Sequence, residues 1–410
     1  MNIEDKVTPA QGGSLISQCL KRQIDRVLAW ATNFVASPFW IWKVVLLSIA
    51  FSVLCASGID VARLKSGYHP SYYQKVEHPL LDMTRLYDPG SHEEKLNYRL
   101  TVPVLLHPLN LPENLVLRVV LPAITIFGVC CIILFSCVVA FRITGDRVTS
   151  LFIALNAGSS YVGSFACIGF YDSVALAQVT LAMLPGINPA ALGFLVFSAS
   201  FTDERAFAAC GLLLVRELCV SANFAKLSQV MTRRAVAVVF GMITYWAVRM
   251  LLIYGYGLNS TRKGIGPGTF VSHIQFWHPG TWFALKGGWF LFFLAVLAMW
   301  QQRQWIKIWI LILVTAVVLG FGFMVGDLLR STSYVYPVVF IALAIICKNE
   351  GKEMVQRYCF FAFIISVVAG SYNIFLGEIT WFMPLPVMVI NKLAHIIYGI
   401  FRAKVFHGMP

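Results

Sequence analysis

The chain has 410 residues, of which 58% are hydrophobic, 14% aromatic and only 12% charged. So apolar a sequence has too little polar material to cover a water-facing surface, which excludes an ordinary soluble domain and points to lipid. The net charge of +13 would raise nucleic acid as a partner in a soluble protein, but the cations lie in short segments between apolar runs, where membrane topology accounts for them.

Residues 1–38 read as a cytoplasmic lead-in. Within 13–36, Leu15, Ile16, Leu20, Ile24, Val27 and Leu28 alternate with Lys21, Arg22 and Arg26 at helical spacing. That pattern predicts an amphipathic helix lying on the membrane surface, or a basic juxtamembrane lead-in with the same topology. A lead of about 38 residues is too long for the n-region of a signal peptide, so the first apolar run, 39–58, is expected to be an uncleaved anchor. Further runs follow at 115–141, 148–170, 172–185, 189–201, 206–221, 235–257, 284–300, 306–325, 332–347, 358–376 and 381–401. They predict one all-α, polytopic transmembrane domain over 39–401, with about 10–12 spans and a cytoplasmic tail at 402–410. The runs 172–185 and 189–201 are short, with Pro185-Gly186 and Asn188-Pro189 between them. They are either a tight hairpin or a pair buried among other helices. Cys130, Cys131 and Cys137 lie inside an apolar run, as small hydrophobes do, and no cysteine pair has metal-ligand spacing.

Arg142/Arg147, Lys226/Arg233/Arg234, Arg303/Lys307, Lys348/Lys352/Arg357 and Arg402/Lys404 fall on one side of this alternation, which makes both termini cytoplasmic. Large loops at 59–114 and 258–283 are then extracytoplasmic. Asp60, Asp172, Asp203, Glu204, Asp327 and Glu378 gather at outer helix ends, so chemistry is expected on that face.

Asp60 follows the first span. It is either a solvated carboxylate or a general base at the membrane surface. The string NYRLTVPVLLHPLNLP, residues 97–112, is interrupted by Pro103, Pro108 and Pro112 and cannot cross. It predicts an interfacial helix beginning at Tyr98 and Arg99. Asp203, Glu204 and Arg205 sit together at a helix start, where they cap the helix or face a polar cavity. Asp327 and Arg330, one turn apart, either pair or leave Arg330 for a phosphate. Arg249 lies within a span, where it snorkels or clamps phosphate in a bidentate manner. His69, His78, His92 and His107 lack zinc-ligand spacing, and GIGPG at 264–268 lacks the ending of a P-loop.

The layout resembles the GT-C superfamily of membrane glycosyltransferases. NYRLTVPVLL is similar to the YR-x-L-x-P-x-L segment of many bacterial members, and Asp60 stands early in the long first loop, where their catalytic acid is expected. FYDSVALA, TDERAF and DLLRSTSYVYP match positions of further polar groups. The resemblance implies a GT-C-like bundle that moves a sugar, with inversion, from a polyprenyl-phosphate donor to a lipid-linked or cell-surface glycan acceptor. In size it is similar to phage-type glucosyltransferases of O-antigen, working at the outer face of a bacterial inner membrane. Asp60 would then be the base, and Arg249, followed by Arg330 or Arg205, would stabilise the leaving phosphate. Asp172, Asp203, Glu204, Asp327, Tyr98 and Arg99 complete the expected substrate site. No DxD pair occurs in the first loop, which leaves a divalent metal as an open cofactor. Two alternatives stand beside it: a polysaccharide polymerase, and a secondary transporter or flippase, which would bury ionisable groups near the midplane.

Overall fold

The computed structural model describes residues 15–55, 68–87, 93–163, 171–221, 231–258, 267–325, 328–369, 371–375, 378–382 and 393. These residues form a helical bundle with one small hairpin. Four helices are long and apolar enough to cross a membrane: Glu113–Thr144, Arg233–Tyr256, Trp305–Phe323 and Leu328–Asn349. A fifth crossing results if Gly268–Leu285 and Gly288–Gln301, bent by 87°, count as one broken span. The protein is therefore integral to a membrane.

Several apolar runs form helices too short to cross a membrane by themselves. Arg147–Ser159, Asp172–Ala182, Pro189–Thr202 and Arg205–Arg216 have 13, 11, 14 and 12 residues. A crossing needs about 20 residues. Three of these helices lie deep in the bundle, with every residue from Val148 to Ser159 buried, whereas Pro189–Thr202 leaves Phe194 exposed. At Arg147–Ser159, burial on all sides explains an apolarity that in the sequence looks like a span.

The lead-in is a helix, Leu15–Phe34, whose Leu28 and Ala31 enter the core while Lys21, Arg22 and Arg26 stay exposed. Arg357 holds Asp25 at 3.2 Å, tying this helix to Lys352–Val368. Two expectations fail. The segment 97–112 is not one helix but the short turns Glu93–Tyr98, Thr101–Leu106 and His107–Leu109, because its prolines cannot continue a helix. The run 358–376 leaves the helix at Val368, and Ser371–Phe375 pairs antiparallel with Glu378–Phe382, Ser371 facing Phe382 and Phe375 facing Glu378. SYNIF and EITWF, rich in aromatic and β-branched residues around a glycine, are a hairpin pattern hidden in an apolar stretch. Apart from this hairpin the described residues are helical, as expected of an all-α bundle.

The first loop has its own core, in which Tyr72, Val76, Leu96, Val102 and Leu106 meet Leu121 and Tyr171 of the bundle. Beneath it, Lys75 is fully buried and donates to the Leu81 carbonyl at 2.8 Å. Burial pulls the Lys75 amine down to about 7, against a smaller opposing pull from Asp82. Burial also pushes on the Asp82 carboxyl, upward, but hydrogen bonds from Thr84 and Asn97 win and leave it below its ordinary value.

Candidate functional site

Four chain segments converge on one buried cluster of charge. Pro189–Thr202 ends at Asp203, and the next helix starts at Arg205, so one tight reversal delivers three consecutive charges. Asp203 Oδ1 accepts from the Arg205 N–H at 2.9 Å, the local bond that an aspartate uses to close such a turn. Asp172 opens the helix Asp172–Ala182, preceded by Tyr171 in the left-handed region at φ 31°, a strained setting for a tyrosine. Gly128 permits this helix its close approach, since a Cβ there would meet Ser173 Oγ at 2.6 Å. Arg99 arrives from the proline-broken segment and Arg330 from the short helix Leu328–Thr332.

Arg205 is the hub. Its Nε and Nη2 grip Asp203 at 2.8 and 2.7 Å, Nη2 also reaches Asp172 Oδ1, and Nη1 donates to Ser331 Oγ at 2.8 Å. The Tyr334 ring lies 5.3 Å from the guanidinium. Arg99 Nη2 stands 3.0 Å from Asp203 Oδ2, its Nη1 3.8 Å from Asp172 Oδ1, and Arg330 Nη1 3.1 Å from Asp172 Oδ2. None of these five side chains is more than 9% exposed. Three guanidinium groups thus pack against two carboxylates out of water, where each charge needs a partner of opposite sign. Beside Asp172 and Arg330 lies a cavity of about 10 Å³, walled also by Ser173, Ser333 and Tyr334.

A second pair adjoins the cluster. Arg249 Nη1 meets Glu204 Oε2 at 3.3 Å and the Tyr245 hydroxyl, and its guanidinium lies 4.1 Å from the Tyr98 ring centre. Tyr98 in turn donates to the Leu258 carbonyl at 2.8 Å. Arg249 thus neither snorkels freely nor stands open, being stacked and paired. Of the residues singled out by sequence, Asp172, Asp203, Arg205, Arg99 and Arg330 come together, while Glu204, Arg249 and Tyr98 form the flank. Asp60 and Asp327 lie outside the described residues. Among the described residues no three His, Cys, Asp or Glu side chains gather as a metal site.

Some polar groups were passed over in the sequence. Ser331 and Tyr334 belong to STSYVYP, where hydroxyls following an arginine were the available signal. Lys286 sits fully buried at the break of the bent helix pair and donates to the Ser159 carbonyl at 2.9 Å. A lysine before two glycines inside an apolar run marks such a break. Arg216 and Glu217, read as part of an apolar run, form another buried pair at 2.6 Å.

Comparison with protein-family models, with curated proteins and with solved structures finds no match for this chain.

Proposed function

We propose that the protein is a membrane glycosyltransferase of GT-C type, transferring a sugar from a polyprenyl-phosphate donor to a lipid-linked or cell-surface glycan. The observation that carries this reading is the buried cluster of Arg99, Arg205 and Arg330 around Asp172 and Asp203. Departure of a lipid phosphate develops negative charge where little water is present, and fixed guanidinium groups are the means of stabilising it. Arg249, engaged with Glu204 and Tyr98, stands beside these arginines, and we assign the leaving phosphate to Arg330 and its neighbours because they are the more deeply buried guanidinium groups. Asp172 and Asp203 are held by arginines and make poor bases, so the base remains Asp60, just past the helix Trp40–Cys55. Both termini are then cytoplasmic and the cluster faces the periplasm of a bacterial inner membrane, in keeping with the distribution of basic residues. A secondary transporter is the second reading. It is favoured by the helix pair bent by 87° with Lys286 at its break, a form of discontinuity that lines transport sites.

Mass spectrometry of surface glycans from cells with and without the protein separates these readings. A transferase adds one hexose-sized increment per repeat, lost in Asp60→Asn at equal membrane levels. A change in chain length alone means a polymerase, and unchanged glycans defeat both enzymatic readings.

A further inference from the structure

Among the described residues, three helices end at the break of the bent helix pair. Arg147–Ser159 stops at Ser159, Lys352–Val368 enters its last turn before Ser366, and Trp277–Leu285 is followed directly by Lys286. The last carbonyls of a helix have no partner within it and form the negative end of its dipole. Two such carbonyls meet on one nitrogen: Lys286 Nζ donates to Ser159 at 2.9 Å and to Ser366 at 3.4 Å. The same ammonium lies 5.1 Å from the centre of the Phe283 ring, whose face also favours a cation. The surroundings are rich in oxygen for a buried position. Ser366 Oγ accepts from the Gly287 N–H at 2.9 Å and from Asn156 Nδ2 at 2.8 Å. Asn156 Oδ1, fully buried, accepts no hydrogen bond among the described residues, and it lies 3.9 Å from where a Cβ on Gly288 would stand, so it borders the break. Gly287 is pressed on the Ala362 carbonyl, where a Cβ would overlap, and this seats the break against Lys352–Val368.

We propose that this break is a site for a small monovalent cation, and that its resident is the chain's own Lys286 ammonium, standing where a free cation would otherwise hold the helix ends together. Negative dipole ends that converge away from water repel one another and need a positive charge between them. Irregular backbone inside an apolar bundle persists only where its polar groups find partners within the protein. Discontinuous helices meet both needs elsewhere by binding a free cation on their C-terminal carbonyls. Here the carbonyls stand at hydrogen-bond distance from an ammonium, and the four-carbon stem of the lysine delivers it from the break itself. A tethered cation does not exchange with the medium, so the break is a fixed joint, independent of the salt present. The inference concerns this break alone and does not depend on the sugar transfer proposed above.

The test is chemical rescue of Lys286→Ala, read as the melting temperature of the full chain in detergent. Propylammonium is the fragment this substitution removes, ammonium carries its charge alone, and propanol keeps a similar shape without charge. Choline chloride holds the ionic strength constant. The expected result is a melting temperature below that of the native chain in choline chloride, rising with the logarithm of propylammonium concentration as ligand linkage requires, and rising less with ammonium. Propanol gives no such rise, and the native chain, its site already filled, responds to none of the three. Lys286→Met fills the space without charge and is expected to melt low and to stay unrescued. If Lys286→Ala yields no folded protein in choline chloride, purification in propylammonium chloride takes the place of the melt, and monodisperse protein obtained only there is the expected result. Four outcomes overturn the inference: Lys286→Met as stable as the native chain, equal rescue by propanol and propylammonium, no rescue or no folded protein with either cation, or a native chain that is itself stabilised by propylammonium.

Discussion

The helix Arg205–Arg216 carries a buried arginine at each end, about 16 Å apart, and the two ends are built differently. At the first end the partners of Arg205 are side chains: Asp203, Asp172 and Ser331. At the other, Arg216 meets Glu217 at 2.6 Å, and Arg234 reaches the same carboxylate at 3.0 Å. Arg234 then turns its remaining nitrogens on the Leu184 and Ala182 carbonyls at 3.1 and 3.2 Å, where the helix Asp172–Ala182 ends. That is a C-terminal cap, with a cation at the negative end of the helix dipole. Backbone carbonyls cannot leave without unfolding the helix, so this end is a fixture. A network made of side chains alone has other arrangements available, and a ligand anion has something to displace. Both ends are buried and both hold arginine on carboxylate; the identity of the acceptors separates site from scaffold.

Substitutions at the two ends sharpen or break this contrast. Arg205→Ala strips Asp203 of its two-pronged partner and leaves a buried carboxylate short of compensation, for an expected loss of about 3–5 kcal/mol, seen as a much lower melting temperature in detergent. Arg205→Lys recovers part of it, because one ammonium cannot reproduce the fork. Unchanged melting in Arg205→Ala would remove the hub from the account. Glu217→Gln leaves Arg216 and Arg234 facing each other with weakened partners and costs about 1.5–3 kcal/mol. It is expected to leave phosphodiester binding as in the native chain, so a selective loss of binding at normal stability would make that end a site as well. Arg249→Gln loses a partly buried pair and its stacking on Tyr98, worth about 0.5–1 kcal/mol by the same melting assay.

A pH effect lies away from both ends. The Lys75 amine sits near 7 in the folded chain and near its ordinary 10.5 when unfolded. Between those values the unfolded chain binds more protons, so stability should rise as pH goes from about 7 toward 10. Melting curves over that window should show the slope in the native chain and a flatter one in Lys75→Met. A slope of opposite sign contradicts the burial of this amine.

Much of this was legible in the residues, for identifiable reasons. Composition alone implied lipid, and the spacing of Leu15, Ile16, Leu20, Ile24, Val27 and Leu28 against Lys21, Arg22 and Arg26 implied the helix at Leu15–Phe34. Asp172, Asp203 and Arg205 were legible because a charge between apolar runs is expensive unless it is paired. Their convergence with Arg99 and Arg330 was not, since those residues come from segments many tens of positions away along the chain in either direction. The pairing of Arg249 with Glu204, one helix over, was hidden for the same reason. Hydrophobicity also misled where it was uniform. It does not separate a span from a short helix buried on every side, as at Arg147–Ser159, and it covered the hairpin at 371–382. Lys286 was overlooked because a window dominated by Phe, Leu and Trp outweighs one lysine.

The central claim is that the side-chain network at Arg205 serves the transfer reaction through Arg330. The most direct measurement is the mass of surface glycans in cells expressing Arg330→Gln at native membrane levels, with Glu217→Gln alongside. The account predicts that Arg330→Gln loses the hexose increment while Glu217→Gln retains it. A full increment in Arg330→Gln at equal protein levels would contradict it.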